Sequence, residues 1–533
     1  MRVAIGQINA TVGDIEGNYK KIVDYIDRAR SNADLIVFPE LSLTGYPPQD
    51  LLFENSFISK AETFLDKIIS RKNGINVILG SIRMEKEKMF NSAFFISDNS
   101  KPQYIDKTLL PTYDVFDERR YFYESIGNKV VNMSLAGYDY KLGIQICEDL
   151  WDDDYDKNVS EILYEMGADI FINISASPYY IDKKSERIQL VKSKVLDNGK
   201  PFIYVNMVGA QDELIFDGNS FCINSYGKLI GLCESFHEDL LTIDTDIKEE
   251  AKEEQEYDKY YEIFSGLSLG ISDYFRKSNH SKAIIGLSGG IDSSLTAAIA
   301  AHSIGPDNIV GVFMPTKFSS SASREDSKEL AETLGIKFHN IDIDGLYESI
   351  SSTISNIVDE PLNDIADQNI QSRIRGMILM TLSNQYNGLV LNTGNKTELA
   401  LGYSTIYGDT VGSISVIGDL NKIDVYELSR WINNNYDSPI PTRVITRKPS
   451  AELKENQEDP FDYDLISPLI DKIISLDSDL INGAYSQEII KETAGRVARS
   501  EYKRRQAPIA IKVSRKAFGR GRRFPIINGY RND

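Results

Sequence analysis

The residues with the clearest chemical potential form one short polar turn, between an apolar segment at 283–287 and an alanine-rich segment that continues to residue 302. The turn consists of Ser288, Gly289, Gly290, Ile291, Asp292, Ser293 and Ser294. This pattern predicts a strand, a tight glycine turn and a helix. Paired glycines let backbone N–H groups point outward, and the serine hydroxyls lie beside a helix N-terminus, which favours anions. The turn is therefore predicted to bind phosphate.

Asp292 distinguishes this turn from the common P-loop, which carries a lysine before a serine or threonine. A carboxylate facing a polyphosphate is repulsive unless a divalent cation lies between them, so we interpret Asp292 as a magnesium ligand. The alternative is a structural strand–turn–helix joint in which Asp292 only caps the helix. The run Ser-Gly-Gly-Ile-Asp-Ser-Ser closely resembles the signature of ATP pyrophosphatases, which split ATP into AMP and pyrophosphate. This resemblance implies adenylation of a carboxylate.

A second set of candidate residues lies in the N-terminal half, where Glu40, Lys107 and Cys147 each follow an apolar segment that is typical of a strand. A cysteine needs a base or a cation nearby to act as a nucleophile. None of the 4 histidines stands in a motif that would serve Cys147. We therefore expect Glu40 to take the thiol proton and return it to the leaving amine, and Lys107 to stabilise the anionic tetrahedral intermediate.

The segments around these three residues resemble the catalytic segments of the nitrilase superfamily, over about residues 1–244: Phe-Pro-Glu-Leu, Asp-Lys-Thr-Leu-Leu-Pro and Cys-Glu-Asp-Leu-Trp. The resemblance implies an α-β-β-α sandwich. In the glutaminase branch of the superfamily, matching positions bind glutamine, and here they are Tyr113, Ser177 and Lys183. Glu118 matches the superfamily's second glutamate and is expected to orient Lys107; the alternative is a purely structural salt bridge.

Beyond the phosphate turn, predicted strands at 309–315 and 337–343 alternate with a predicted helix at 323–334. This order favours a doubly wound parallel sheet, with ligands at the carboxyl ends of its strands. A later strand leads into Thr393, a hydroxyl donor, and Glu398, a second carboxylate. Two carboxylates from different loops, Asp292 and Glu398, can bridge magnesium to pyrophosphate. The other interpretation of Glu398 is surface charge. Asn369 is predicted to open a helix.

The C-terminal half strongly resembles NAD synthetases over about residues 260–533, in the segments at 393–398, 407–410, 418–422 and 448–453 and around Gln506, Lys512 and Phe518. The resemblance implies a Rossmann-like ATP pyrophosphatase domain. The implied ATP-binding residues are Leu287, Ser288, Gly289, Gly290, Ile291, Asp292, Ser293, Ser294, Thr393 and Lys422. The implied deamido-NAD-binding residues are Asn369, Glu398 and Lys512, and the implied Mg²⁺ ligands are Asp292 and Glu398. The family's usual segment is richer in proline than this one, so Asn421 and the acidic stretch 455–462 leave the details of that loop open.

Length and composition limit the class of protein. A chain of 533 residues predicts more than one domain. We expect a glutaminase domain at 1–245, a linker of mixed charge at 246–258 and an NAD synthetase domain at 259–533. A formal net charge of -20 argues against a nucleic-acid partner. The basic run 499–523 has interleaved apolar residues, which favours an ordered, strand-like segment that offers Lys512 to a dinucleotide over a nucleic-acid-binding tail.

The same composition bears on location. The 3 cysteines fit a reducing compartment. No stretch approaches the roughly 20 apolar residues of a membrane span, and the first ten residues predict a core strand rather than a secretory leader. We therefore expect a cytoplasmic protein without a membrane partner.

Joined together, the two resemblances imply an enzyme that makes NAD with glutamine as its nitrogen donor. The nicotinate of deamido-NAD attacks ATP, and ammonia released at Cys147 displaces AMP. The resemblances imply glutamine, ATP and deamido-NAD as substrates, Mg²⁺, an enclosed passage for ammonia, and a homo-oligomer that is often an octamer. Two alternatives stay open: the same chemistry on another acceptor, such as a nucleotide base or another carboxylate, and a non-enzymatic nucleotide sensor with relic sites.

Overall fold

The computed structural model of the chain describes residues 1–247, 257–448, 453–454, 459–477 and 485–527. The chain divides into two compact units, Met1–Tyr257 and Asp258–Asp533, called the N-terminal and C-terminal units below. Most of the linker predicted at 246–258 lies outside the described residues. None of the helices in the described ranges is both long enough and apolar enough to cross a membrane.

The N-terminal unit is built on two mixed sheets. Its strands are β1 (Arg2–Gln7), β2 (Leu35–Val37), β3 (Asn76–Glu85), β4 (Lys88–Ile96), β5 (Gln103–Asp106), β6 (Val131–Leu135), β7 (Tyr138–Ile146), β8 (Ile170–Ser175), β9 (Phe202–Asn206), β10 (Val208–Gln211), β11 (Leu214–Asp217), β12 (Phe221–Ile223), β13 (Leu229–Leu232) and β14 (Asp239–Asp244). Its helices are α1 (Ile15–Ala29), α2 (Asn55–Ser70), α3 (Val159–Glu165) and α4 (Lys183–Asn198). One sheet has the order β14-β1-β2-β3-β4-β5, the other the order β13-β12-β9-β8-β7-β6, and β10 pairs with β11 as a hairpin.

Alternation along the strands explains how the two sheets pack. In β2, Leu35 and Val37 face the core between the two sheets, whereas Ile36 faces the core under α1 and α2. Successive side chains of a strand point to opposite faces, so a run of three buried apolar residues serves two cores. On the outer face of the other sheet, Val191 of α4 packs with Phe171 and Phe202. The layers are helix, sheet, sheet and helix, which confirms the predicted α-β-β-α sandwich.

The C-terminal unit contains a parallel sheet with the strand order β17-β16-β15-β18-β19-β20. Its strands are β15 (Ala283–Leu287), β16 (Ile309–Phe313), β17 (Lys337–Asn340), β18 (Leu389–Asn392), β19 (Ile414–Ser415) and β20 (Ile509–Ala510). Its helices are α5 (Lys259–Lys277), α6 (Ile291–Ile304), α7 (Ser321–Leu334), α8 (Asp344–Ser355), α9 (Asp364–Tyr386), α10 (Lys396–Leu401), α11 (Lys422–Asn435), α12 (Thr442–Thr446), α13 (Tyr463–Ser475), α14 (Gln487–Arg499) and α15 (Glu501–Arg504).

This strand order is that of a doubly wound sheet, as predicted. The chain runs outward from β15 to β17 and then returns to add β18, β19 and β20 on the other side. The order therefore reverses between β15 and β18, and ligands of such sheets bind at that crevice. The polar turn at 288–290 follows β15 directly, so it lies at the point of reversal.

Two local predictions were wrong in detail. Asn369 does not open its helix, because Asn363 caps α9 by accepting a hydrogen bond from the Ala366 N–H, which starts the helix five residues earlier, at Asp364. Lys512 was expected in a strand-like run, but β20 ends at Ala510. The segment after β20 is held instead by Asp419, which accepts hydrogen bonds from the Val513 and Ser514 N–H groups at 2.9 and 2.7 Å.

Candidate active sites

Cys147 follows the last residue of β7 and begins a short 3₁₀ helix, Cys147–Leu150. Its φ of 47° lies in the left-handed region, which is unfavourable for a residue other than glycine and can be retained where a functional site requires it. The side chain is buried. Burial, and then the charge of Glu40, raise the pKa of the thiol well above its ordinary value, although Lys107 opposes them. A thiol with a raised pKa needs a base to become a nucleophile.

Lys107, directly after β5, lies between two carboxylates. Its Nζ donates to Glu40 Oε1 at 2.7 Å and to Glu118 Oε1 at 2.8 Å, and all three side chains are buried. Burial alone would lower the pKa of Lys107, but Glu118 and Glu40 outweigh it and hold that pKa well above its ordinary value. Burial raises the pKa of Glu118 to about 7, against the effect of Lys107. The structure thus brings together Glu40, Lys107 and Cys147, with Glu118 beside Lys107.

Both oxygens of Glu40 are held in place. Asn91 Nδ2 donates to Oε1 at 2.7 Å, and the Ala176 N–H donates to Oε2 at 2.9 Å. Sequence reasoning missed Asn91; the signal was an amide side chain within the apolar strand β4. A carboxylate with both oxygens fixed keeps one orientation toward the thiol.

Asp149 links the turn of Cys147 to the segment of Lys107. Its carboxylate accepts hydrogen bonds from the N–H groups of Thr108 at 2.9 Å, Leu109 at 2.8 Å and Ile146 at 3.1 Å. Burial raises the pKa of Asp149 to about 7, although these backbone hydrogen bonds lower it in part. No role for Asp149 was predicted from the sequence.

Glu148, next to the nucleophile, is buried and accepts hydrogen bonds from two tyrosines. Tyr113 Oη donates to its two oxygens at 2.9 and 3.1 Å, and Tyr155 Oη donates to Oε1 at 2.8 Å. Burial, together with this carboxylate, raises the pKa of both phenols. Tyr113 was predicted from the resemblance, whereas Glu148 and Tyr155 were missed. The available signal was a carboxylate at a buried strand end, which is costly without a task or a partner.

Ser177 and Lys183 lie on either side of one turn that leads into α4. The Ser177 N–H donates to Asn206 Oδ1 at 2.9 Å. Lys183 Nζ lies 3.7 Å from the centre of the Trp151 ring and donates to Tyr180 Oη at 3.1 Å. Burial, and then the positive charge of Arg187, lower the pKa of Lys183 to about 8. A lysine that is partly stripped of water can bind an anion strongly.

The phosphate turn of the C-terminal unit has the conformation that its glycines predict. Gly289 has a φ of 75°, and a Cβ there would lie 2.5 Å from the Ser323 carbonyl oxygen, so only glycine fits. The Gly290 N–H donates to Ser288 Oγ at 3.1 Å, and the Ser288 N–H donates to Ser293 Oγ at 3.2 Å. The Ser288 and Ser293 hydroxyls thus accept hydrogen bonds from N–H groups of the same turn.

The turn borders a cavity of about 320 Å³. The predicted residues that line it are Leu287, Ser288, Gly290, Ile291, Asp292, Ser293, Thr393, Glu398 and Lys422. Among the described residues of the turn, Gly289 and Ser294 stay outside the lining. The lining also contains charged and aromatic residues to which the sequence had assigned no individual role: Arg375, Asp409, Tyr426, Arg447, Lys448 and Asp459.

Lys422 contacts both carboxylates that were predicted to hold magnesium. Its Nζ donates to Asp292 Oδ2 and lies 3.5 Å from Glu398 Oε1. Asn395 Nδ2 donates to Asp292 Oδ1 at 2.9 Å. Burial, and then the charge of Asp292, raise the pKa of Glu398 to about 8, and Lys422 opposes them. The two carboxylates stand on the first turns of α6 and α10, not on loops as predicted.

Asn369 and Lys512 are not brought together with Glu398 in this cavity, whose described lining includes neither of them. Asn369 Oδ1 accepts a hydrogen bond from Thr405 Oγ1 at 2.7 Å. Lys512 is buried after β20. Within the described ranges, no group of three or more His, Cys, Asp or Glu side chains is arranged to hold a metal ion. A cation at Asp292 and Glu398 would therefore need further ligands from a substrate or from water.

Comparisons with known proteins agree with this division of chemistry. Residues 2–252 match the carbon-nitrogen hydrolase family, and residues 263–507 match the NAD synthase family. The chain is 38% identical to the glutamine-dependent NAD(+) synthetase of Synechocystis sp., over 99% of both chains. It is 37% identical to that of Aquifex aeolicus, over 99% of this chain and 100% of the relative.

Two solved structures match nearly the whole chain. One is a glutamine-dependent NAD+ synthetase from Acinetobacter baumannii in complex with ADP, with 35% identity, a TM-score of 0.79 and coverage of 100% of this chain and 99% of the other. The second is a glutamine-dependent NAD(+) synthetase from Cytophaga hutchinsonii, with 25% identity, a TM-score of 0.82 and coverage of 99% and 98%.

Proposed function

This chain belongs to the family of the glutamine-dependent NAD(+) synthetases and uses glutamine and ATP to make NAD, and we propose from its geometry that ammonia is released at Cys147 and consumed beside the phosphate turn. The observation that carries this assignment is the buried Lys107 between Glu40 and Glu118, together with the buried thiol of Cys147. A buried base, cation and thiol in one place are the parts that covalent amide hydrolysis needs.

In the proposed glutaminase reaction, Glu40 takes the thiol proton while Cys147 Sγ attacks the side-chain amide carbon of glutamine. The ammonium of Lys107 stabilises the negative oxygen that forms, an effect typically worth about 2.7–4 kcal/mol. Glu40 then gives the proton to the nitrogen, ammonia leaves, and a thioester remains on Cys147. Water, deprotonated by Glu40, hydrolyses the thioester and releases glutamate.

The charges around the nucleophile support a subsite for each end of the amino acid. We assign the α-ammonium group of glutamine to Glu148, which Tyr113 and Tyr155 hold by hydrogen bonds. We assign its α-carboxylate to Lys183 and Ser177. This orientation places opposite charges together at both ends, which favours an α-amino acid over a simple amide.

The pKa of Lys183 gives a pH test of the carboxylate subsite. The ammonium is charged below its pKa of about 8 and is lost as the pH rises through that value. Glutamine-driven kcat/KM is therefore expected to fall about tenfold for each pH unit well above 8, because this ratio reports ionisations of the free enzyme. Lys183→Arg should remove that fall, apart from the part caused by the amino group of glutamine itself. An unchanged alkaline limb in Lys183→Arg would remove Lys183 from the subsite.

In the proposed synthetase reaction, the phosphate turn binds ATP through its backbone N–H groups and its serine hydroxyls, with Thr393 and Lys422 at the rim of the cavity. A nicotinate carboxylate oxygen of deamido-NAD attacks the α-phosphorus, and pyrophosphate leaves. Ammonia then attacks the carbonyl carbon of the adenylate, AMP leaves, and the nicotinamide amide of NAD is complete. The parallel sheet supports this placement, because the turn follows β15 where the strand order reverses.

The two carboxylates near this turn fit a magnesium ion. Asp292 and Glu398 are close enough for the charge of one to raise the pKa of the other, and Lys422 supplies the positive charge between them. Mg²⁺ is commonly held by one or two carboxylates together with substrate phosphates. We therefore propose Asp292 and Glu398 as its protein ligands. When bound, the ion would neutralise charge on the departing pyrophosphate.

The proposed acceptor site rests on Asn369, Glu398 and Lys512, which the family resemblance assigns to deamido-NAD. Lys512→Ala is expected to raise the KM for deamido-NAD about tenfold or more and to leave the KM for ATP nearly unchanged, since a charge-assisted hydrogen bond is worth about 1.5–3 kcal/mol. Initial rates with each substrate varied in turn provide the measurement. Arg515→Ala, an exposed cation on the same segment, serves as the control. A defect confined to ATP would assign Lys512 to the nucleotide instead.

The complete reaction tests the assignment directly. The protein mixed with ATP, magnesium, glutamine and deamido-NAD should yield NAD, AMP, pyrophosphate and glutamate in equal amounts. Offering other carboxylates and nucleotide bases in place of deamido-NAD separates the alternative acceptors. Absence of any glutamine- and ATP-dependent turnover would favour the nucleotide sensor. We further propose a cytoplasmic homo-oligomer; the mass in solution tests the assembly, and fractionation of cells tests the location.

A further inference from the structure

Arg187 is a buried cation on α4 with no assigned task in the reaction. Its side chain is 0% exposed, so each of its donors needs a partner inside the protein. Nη1 donates to both oxygens of Asp217, at 2.8 and 2.9 Å. The rest of the guanidinium is directed at the segment Ser177–Pro178. Asn219 Nδ2 donates to Asp217 Oδ2 at 2.7 Å, which fixes the far side of this ion pair.

The contacts with Ser177 and Pro178 involve backbone and side chain together. Nη2 donates to the Ser177 carbonyl oxygen at 2.8 Å, to Ser177 Oγ at 3.1 Å and to the Pro178 carbonyl oxygen at 3.3 Å. Nε donates to Ser177 Oγ at 3.2 Å. The rigid, planar fork of an arginine can make all these bonds at once, whereas the single ammonium of a lysine cannot.

Two features of the site depend on this segment. The residue before it, Ala176, donates its N–H to the base Glu40 at 2.9 Å. Ser177 itself is assigned to the carboxylate of glutamine. A hydroxyl has two acceptor positions and one proton, and Arg187 directs two donors at Ser177 Oγ. The Ser177 hydroxyl can then bind a substrate carboxylate only as a hydrogen-bond donor.

We infer that Arg187 is a positioning residue of the glutaminase site, which fixes segment 176–178 against Glu40 and turns the Ser177 hydroxyl into a hydrogen-bond donor for the α-carboxylate of glutamine. This inference rests on the proposed glutamine subsite. Asp217 serves it indirectly, because it holds the guanidinium that holds the segment.

The test is a double-mutant cycle with Arg187→Lys and Ser177→Ala. The lysine keeps a cation for Asp217 but loses the fork, so glutamine-driven kcat/KM should fall tenfold to a hundredfold. Ammonia-driven synthesis in the same preparation should stay within about twofold of the wild type. Ser177→Ala should add little to the Arg187→Lys defect, because both changes remove the same hydrogen-bond donor from the substrate. A merely structural role would give additive losses.

Lys194→Arg is the matched control. Lys194 is also a buried cation on α4, where it donates to Asp152 and Asp153 at 2.6 Å and makes no described contact with segment 176–178. The glutamine-driven kcat/KM of Lys194→Arg should stay within about threefold of the wild-type value. If Arg187→Lys does not fold, Asp217→Asn enters the same cycle and should also be non-additive with Ser177→Ala.

The inference is overturned if Arg187→Lys keeps the wild-type kcat/KM for glutamine, if its glutamine-driven and ammonia-driven rates fall equally, or if its loss is additive with that of Ser177→Ala. Failure of the proposed function has a different signature, because the wild-type protein would then release no ammonia from glutamine at all.

Discussion

NAD synthesis driven by glutamine is expected to fall by more than about 10³-fold in Cys147→Ala, while synthesis driven by added ammonia stays near the wild-type rate. In the proposed reaction, the sulfur of Cys147 forms the thioester, and no other group of the proposed site can replace it. The two halves of the reaction are proposed to use separate residues, so the synthetase chemistry should survive. Rates with each nitrogen source in one preparation provide the measurement.

Cys222→Ala is the matched control for this variant. Cys222 is also a buried thiol of the N-terminal unit, but it lies in the middle of β12, and burial rather than a charged neighbour raises its pKa to about 12. Both nitrogen sources should therefore support near wild-type rates in Cys222→Ala. Loss of ammonia-driven synthesis in a folded Cys147→Ala protein would contradict the assignment of two separate sites.

Asp292→Asn is expected to lower NAD synthesis about 10²-fold or more with either nitrogen source, because the proposed Mg²⁺ ion that balances the charge of pyrophosphate would lose a charged ligand. The same change removes the negative charge that pairs with Lys422. The Glu398 carboxylate, 3.5 Å from Lys422 Nζ, would be the one of the two carboxylates that remains. Release of pyrophosphate and release of glutamate from glutamine should be measured separately, since only the first is expected to fail.

Asp307→Asn is the control for this second variant. Asp307 is an exposed carboxylate beyond the other end of α6, so it shares the helix region without reaching the cavity. Its pyrophosphate release should equal that of the wild type. If Asp292→Asn also released pyrophosphate at the normal rate, Asp292 would be only a structural partner of Asn395 and Lys422.

Site residues that directly follow a strand could be predicted from the local sequence at both sites. Cys147 and Lys107 each follow a strand directly, and the glycine turn follows β15, so apolar runs were enough to place them. The layered architecture was also predictable, because buried strands and amphipathic helices repeat in a recognisable order.

Contacts between distant segments were not predictable in the same way. Asn91 donates a hydrogen bond to Glu40, which is 51 residues away in the sequence, and Lys422 donates one to Asp292, which is 130 residues away. A single amide in a strand, or a lysine at the start of a helix, could hydrogen-bond to many different groups. Which group it meets is decided only when the sheet has assembled. Asn369 was misplaced for a simpler reason: a cap at Asn363 started its helix earlier than the polar run suggested.

The three hydrogen bonds that Asp149 accepts have a consequence for how the glutaminase site tolerates movement. One carboxylate joins the backbone just before the nucleophile to the backbone just after Lys107. This clamp fixes the two backbone segments that carry the thiol and the ammonium relative to each other, while Glu40 and Glu118 hold the end of the Lys107 side chain. When either strand moves, the backbone of Cys147 and that of Lys107 are therefore expected to move together. Their relative position is then kept before glutamine binds.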